Sequence, residues 1–564
     1  MGARGHTVER GLMAKMIAGH LLVRALEAQG VDRVFCVPGE SYLAVLDGLH
    51  DAAIDTVVAR QEGGAAMMAE ADAKLTGRPG IVMVTRGPGA TNAASGVHVA
   101  TQDSTPLILL VGQIARGVDG REAFQEVDFT QLYSGLAKWV TEVRDPDRLP
   151  ETLAHAFSVA MGGRPGPVVI ALPEDMLREE VQEPPVLPYS SAVEQGVTEG
   201  QLADLSSMLA GARRPIMILG GSRWTPDACR SIQLFAERQQ LPVAVSFRRQ
   251  QLFDHSHPLY AGDLGIGANP ALVDRIRSAD LVISVGARLS ENPSQDFTLL
   301  DIPIPQQDLV HIHPGPEELG RIYTPVLSVC ASPISFATAA GQLPVEHVRR
   351  HDESAHASYL DWTDVLPRTG GEVDMGEVMT HLRAEAPSDA IVTNGAGNYS
   401  IWAHRFWRFQ SFGTQVAPTS GSMGYGLPAA VAAGLRCPTQ RVFCFAGDGC
   451  LQMTIQELGV LAERQLRVTV LVVDNGAYGT IRMHQEKQYP KRLSATDLKN
   501  PDFAEVARAY GIPAFSVTGT DQFPATLAAA LSIEGPSLIH LKTSIEALTP
   551  TLTIDAARGV SPRA

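Results

Sequence analysis

Two oxygen-bearing side chains at the ends of neighbouring apolar runs are the first chemistry in this chain. The run 441–446 leads into Gly447-Asp448-Gly449, the run 468–473 leads into Asp474-Asn475, and a helical stretch over 453–464 separates them. In a parallel strand–helix–strand unit both strand C-termini open on one edge, so Asp448 and Asn475 converge there. A carboxylate, an amide oxygen and a backbone carbonyl, here expected from Ala477, are hard ligands that leave sites free for phosphate oxygens. Mg²⁺ is held in that manner. The same residues also fit a Gly-Asp-Gly turn and a plain strand terminus.

A second candidate is Glu62, which opens a helical stretch and is followed by Gly63, Gly64, Ala65 and Ala66. A glutamate at a helix start can simply complement the helix dipole. Flanking glycines and alanines also let a ligand approach the carboxylate closely. Downstream, Thr85-Arg86-Gly87-Pro88-Gly89-Ala90-Thr91-Asn92 follows a strand and opens a helix whose free amides can orient a ligand.

The elements that must carry these groups are short β-branched runs alternating with helical stretches, at 81–85, 107–111, 168–172, 216–219, 281–285, 442–446, 468–473 and 538–541. Such alternation predicts an α/β fold with parallel sheets. Pro184, Pro185 and Pro188 make 178–191 a linker, and a histidine-rich polar stretch over 343–371 (His347, His351, His356) makes a second, with some helix. Three domains follow, each a parallel sheet flanked by helices, over 1–180, 192–342 and 368–545, with a polar tail over 546–564. The 564 residues carry a net charge of −15, which disfavours nucleic acid and anionic lipid as partners. Six cysteines without a C-x-x-C pair suit reduced thiols and a cytoplasmic location. No secretory signal is visible in the charged N-terminus, and the longest apolar runs fall far short of the ~20 residues that cross a bilayer.

Taken together, Gly447-Asp448-Gly449 with Asp474-Asn475 resembles the motif by which thiamine-diphosphate enzymes anchor the cofactor's diphosphate through a divalent ion. The segment 393–402, with Gly397, Asn398 and Tyr399, resembles the family's diphosphate-contacting turn, and 421–429 its aminopyrimidine segment. By that resemblance Gly421 and Met423 hold the pyrimidine, with Met423 the hydrophobic wedge. It also implies cofactor contacts from Gly447, Gly449, Cys450, Tyr478 and Gly479. The segment 59–70 matches the family's strand-to-helix passage, which makes Glu62 the acid that hydrogen-bonds the aminopyrimidine and activates the cofactor. Ala123-Phe124-Gln125-Glu126, Lys138-Trp139 and the segment 164–168 narrow the likeness to the acetolactate synthase large-subunit branch. Gln125 would then line the cofactor cavity beside Glu62, and Phe124 and Lys138 would border the substrate entrance. The likeness runs from about residue 15 to 545.

The chain departs from the branch where substrate choice is made. His484 stands nine residues beyond Asn475, where acetolactate synthases carry a tryptophan, and Glu40 follows Pro38-Gly39 in place of a small residue. Thr101 replaces a phenylalanine, and Thr480, Ile481, His484 and Glu40 are the residues expected to shape the substrate pocket. Central-domain motifs of flavin-binding members are replaced by Asp263-Leu264-Gly265 and 288–292, so FAD is not favoured. The implied activity is a thiamine-diphosphate- and Mg²⁺-dependent carbon–carbon lyase or carboligase on a small 2-oxo acid such as pyruvate, with a 2-oxo acid or aldehyde as acceptor. A 2-oxo acid decarboxylase, a flavin oxidase and a 2-hydroxyacyl-CoA lyase are the enzymatic alternatives. A silent cofactor-binding regulatory subunit is the non-enzymatic one. The family places its acid opposite the diphosphate domain of another subunit, so a homodimer or homotetramer with active sites at the interface is expected.

Overall fold

Each apolar run becomes an interior strand of one of three parallel six-stranded sheets in the computed structural model. The structure describes residues 15–182, 187–188, 191–345 and 352–559. The N-terminal segment before Lys15, Pro184, Pro185, His347 and His351 lie outside them.

The first sheet is built from strands between Arg33 and Pro173, and its middle is Gly80–Val84, Leu107–Gln113 and Pro167–Pro173. The second spans Pro215 to Cys330 around the adjacent pair Pro215–Leu219 and Leu281–Val285. The third spans Ile391 to Lys542 around Val442–Gly447, Val468–Asp474 and Ser537–Lys542. These strands are buried on both faces, which is why they read as continuous apolar runs rather than alternating ones.

The chain first crosses between domains through the 178–191 region, where Glu180–Gln182 pairs antiparallel with Lys15–Ile17. The second polar stretch contains the helix Glu353–Asp364. The expected polar tail is instead folded: Ala547–Thr549 and Leu552–Thr553 form a hairpin, followed by the helix Ile554–Ala557. Leu548 and Ile554 are buried, and Arg558 reaches the buried Glu486 through Nε at 2.9 Å and Nη2 at 2.6 Å. Among the described residues no helix is long and apolar enough to cross a membrane. All six cysteines are free.

The first and third domains are held together within the chain. Helix Glu62–Thr76 packs against helix Gly426–Arg436, both rich in alanine and glycine, so the backbones approach closely. Around that seam Arg436 spans Asp32 and Asp72, and Glu70, Lys74, Asp103 and Tyr425 form a buried polar cluster.

Candidate active site

The third sheet opens at its C-terminal edge onto a cavity of about 250 Å³. Asp448 begins the short helix after the strand Val442–Gly447, and Asn475 follows the strand Val468–Asp474. The two strands are neighbours in register, which brings both side chains to the cavity wall together with Ala477.

Asp448 is only 3% exposed, and its Oδ2 accepts a hydrogen bond from Asn500 Nδ2 at 2.7 Å. The same nitrogen donates to Asp474 Oδ1 at 2.7 Å, while His540 Nε2 lies 2.8 Å from Asp474 Oδ2. Burial raises the Asp448 carboxyl above the usual range, and the neighbouring Asp474 adds to the rise. Burial alone would raise Asp474 as well, but hydrogen bonds from His540, Gly476 and Asn500 hold it below that range. A buried carboxyl in this state gains from a nearby cation, and the oxygen-only donor set of Asp448, Asn475 and the Ala477 carbonyl is that of a hard one. These residues therefore fit Mg²⁺. Among the described residues no group of three His, Cys, Asp or Glu side chains is placed to hold a metal ion by side chains alone.

Glycines shape the wall for large rings. A Cβ on Gly447 would sit 2.7 Å from the Tyr399 ring, one on Gly397 would also meet that ring at 2.7 Å, and one on Gly449 would meet the Tyr478 ring at 2.6 Å. Tyr399 in turn donates from its hydroxyl to Cys450 Sγ at 3.1 Å, and Gly424 N donates to the same sulfur at 3.1 Å. Burial pushes the Cys450 thiol up, so it stays protonated. Across the mouth, Asn398 N donates to Thr480 Oγ1 at 3.1 Å, and that hydroxyl lies 2.9 Å from Asn398 Oδ1. Gly421, in a left-handed conformation (φ +68°), and the half-buried Met423 face the cavity from the opposite rim.

The cavity thus gathers Gly397, Asn398, Tyr399, Gly421, Met423, Gly447, Asp448, Gly449, Cys450, Asn475, Ala477, Tyr478, Gly479, Thr480 and Ile481. His484 is exposed on the same helix, Gly479–Gln488, and does not line it. Ala547 and Leu548 from the folded tail do line it, together with Thr369, Val373, Met375 and Thr543. The sequence signal for the tail was the apolar spacing Leu548, Leu552, Ile554. Asn500 carried no signal, because a lone asparagine in a polar loop reads as a turn.

Glu62, Gln125, Glu40, Phe124 and Lys138 lie outside this cavity, in the first domain. Glu62 begins the helix Glu62–Thr76, whose N-terminus is capped by Gln61 Oε1 accepting from Gly64 N at 3.0 Å. Its Oε2 accepts from Asn92 Nδ2 at 3.0 Å, which leaves Oε1 uncommitted beside Gly89. The small residues after Glu62 admit a close approach of the third domain. A Cβ on Gly64 would lie 2.6 Å from Glu457 Oε1 of the third domain, and Ala65 and Ala66 are wholly buried in the seam. Gln125 adopts φ +65° against Gly87. Arg86 links three neighbours: it donates to Glu40 at 3.0 Å, to Glu174 at 3.2 Å and to the Phe124 carbonyl at 3.3 Å. Phe124 is 75% exposed. The Lys138 ammonium is committed to the carbonyls of Val159, Gly162 and Arg164 at 2.6–2.9 Å.

At the C-terminal edge of the central sheet the structure forms two small cavities of about 80 and 70 Å³. The two adjoin, sharing Ser104, Gly221 and Arg249 in their linings. Arg288 there donates to the Gln102 carbonyl and lies 3.3 Å from Glu318.

Residues 16–132 match the thiamine pyrophosphate enzyme N-terminal TPP binding domain, 202–340 the central domain, and 395–541 the C-terminal TPP binding domain. The chain is 33% identical over 540 residues to the acetolactate synthase large subunit of Parasynechococcus marenigrum, covering 92% of this chain and 86% of that one. It is 31% identical to the acetolactate synthase isozyme 2 large subunit of Escherichia coli, covering 92% and 94%. To the acetolactate synthase large subunit of Corynebacterium glutamicum it is 30% identical, covering 90% and 83%. With three successive domains matched and a cavity built from the motif residues, the chain belongs to the thiamine pyrophosphate enzymes, on the branch of the acetolactate synthase large subunits.

Proposed function

We propose that this protein is a thiamine-diphosphate-dependent carboligase that decarboxylates a small 2-oxo acid, pyruvate in the first instance, and joins the remaining fragment to a second carbonyl compound. The observation that carries this reading is the convergence of the diphosphate, pyrimidine and metal motifs on one glycine-walled cavity. When bound, thiamine diphosphate supplies the electron sink for cleaving a bond next to a carbonyl. The chain supplies the rest. Asp448, Asn475 and the Ala477 carbonyl would hold Mg²⁺, the Tyr399 and Tyr478 rings and Met423 would exclude water, and Glu62 would exchange a proton through the oxygen that Asn92 leaves free.

All residues lining the cavity fall between 369 and 548, which supports the reading that Glu62 and Gln125 act on the cavity of a second copy. The functional unit is then at least a two-fold dimer. Exposed apolar side chains on both faces, Leu43 and Phe124 in the first domain and Met453 and Ile481 in the third, suit that burial. Glu40, held by Arg86, joins the substrate pocket from the same face. Six free thiols suit a reducing cytoplasm.

Incubating purified protein with pyruvate, thiamine diphosphate and Mg²⁺ should release CO₂ and give acetolactate by product mass. Free acetaldehyde as the sole product would assign a decarboxylase instead. No turnover of any 2-oxo acid or acyl-CoA would remove the enzymatic reading.

A further inference from the structure

The stretch 417–420, just before Gly421, is irregular backbone between the strand Gln415–Val416 and the helix Gly426–Arg436. Backbone groups in such a buried stretch need partners, and here they come from the other two domains. Lys74 Nζ donates to the Ala417 carbonyl at 3.1 Å, and Arg248, from the loop after the central strand Val243–Ser246, donates to the Pro418 carbonyl. Asp103, the last residue of the helix Pro88–Asp103, takes the two amides that follow. Its Oδ2 accepts from Thr419 N at 3.0 Å, and its Oδ1 accepts from Thr419 Oγ1 at 2.7 Å and from Ser420 N at 3.1 Å. The Asp103 side chain is fully buried, is paired with Lys74, and touches no part of the cofactor cavity.

We propose that Asp103, seconded by Lys74 and Arg248, is a positioning residue for the pyrimidine half of the cofactor site: it fixes the approach to Gly421 and so the placement of Met423. The inference rests on the reading of Gly421 and Met423 as the pyrimidine segment. On the far side that segment is tied to the cavity wall by Gly424 N donating to Cys450 Sγ at 3.1 Å. Its near side is tied through Asp103, and both turning points, Gly421 and Gly424, have positive φ. A bend of this kind with a loosened near end lets Met423 move while Asp448 and Asn475, on other strands, stay in place. The diphosphate and pyrimidine halves of the site are therefore separable by mutation.

The test uses Thr419→Val, which removes only the hydroxyl donor to Asp103, beside Asp103→Asn. Calorimetric titrations with thiamine diphosphate and, separately, with inorganic pyrophosphate, both with Mg²⁺, read the two halves. Thr419→Val should bind thiamine diphosphate about tenfold more weakly, the factor for one hydrogen bond to a charged group, and bind pyrophosphate as the wild type does. Asp103→Asn, if it folds, should show the same split to a greater degree. Met423→Ala serves as the reference and should also lose thiamine diphosphate affinity alone. If Met423→Ala shows the split and Thr419→Val binds both probes as the wild type does, the positioning role is wrong and the segment assignment stands. If Met423→Ala binds thiamine diphosphate normally, the assignment falls and the positioning role with it. Equal weakening of both probes in Thr419→Val would mean general loosening and would also overturn the proposal.

Discussion

Replacing Glu62 with glutamine isolates its proton exchange from its shape. In the structure Asn92 Nδ2 occupies Oε2 at 3.0 Å, so the two carboxylate oxygens are not equivalent. A glutamine at this position turns its amide oxygen toward Asn92, because the opposite orientation faces two NH₂ groups, and puts its own NH₂ where Oε1 was. That group can donate a hydrogen bond but cannot take or return a proton. Loss of a positioned acid–base group costs about 10²–10⁴ in rate, which at 1.36 kcal/mol per decade is about 3–5 kcal/mol of barrier. Cofactor affinity should change much less, since the diphosphate and metal contacts lie in the other domain. Asn92→Ala should give a smaller fall, about tenfold to a hundredfold, because it removes one hydrogen bond to a charged group. Hydrogen–deuterium exchange at the thiazolium C2, quenched and read by NMR, follows the activation step directly. Exchange in Glu62→Gln at the wild-type rate would exclude Glu62 as the activating acid, and Glu40 would be the next carboxylate to examine.

Three further outcomes follow from the packing. Gly447→Ala puts a methyl 2.7 Å from the Tyr399 ring and should weaken thiamine diphosphate binding by more than tenfold, measured by fluorescence titration, with the ring forced into the cavity. Burial pushes the Glu457 carboxyl from its ordinary 4.5 up to about 7, so its contribution to stability is full below pH 4.5 and is lost as the pH rises through 7. Urea denaturation of Glu457→Gln should accordingly show a flatter pH dependence across that window than the wild type, by about 3 kcal/mol. Arg558→Ala removes the guanidinium hydrogen bonds to Glu486, which keeps that of Lys491 N, and should cost about 2 kcal/mol in the same assay. It should also weaken cofactor binding, because Ala547 and Leu548 lose their anchor.

The eight apolar runs read from the sequence are all interior strands, and the strands that went unread are largely those nearer the sheet edges. Arg33–Cys36, Trp139–Glu142 and Leu327–Cys330 carry charged, partly exposed or short stretches, and the apolar continuity that marks a doubly covered strand is missing there. The convergence of the motif residues on one cavity was legible because its walls are made of glycines and short motifs that follow strand ends. That glycine at Gly64 admits Glu457 of the third domain was not legible, because the contact is made across nearly 400 positions of sequence. Asn500, which bridges Asp448 and Asp474, and Asp103, which holds Thr419 from 316 positions away, were not legible. Their partners are set by domain packing, and local spacing carries no trace of it. Arg86 was visible within its motif, but its links to Glu40 and Glu174 depend on the neighbouring strand ends meeting at one edge.

In the proposed dimer one active site is built from Glu62 of one subunit and Asp448 of another, and subunit complementation tests that arrangement. Glu62→Gln and Asp448→Ala should each be inactive alone. A mixed dimer carries both defects in one site and neither in the other, so co-expressed subunits, purified by two tags to isolate the hybrid, should recover about half of the wild-type activity per dimer. A hybrid no more active than either parent, or an active monomer by light scattering at assay concentration, would contradict it.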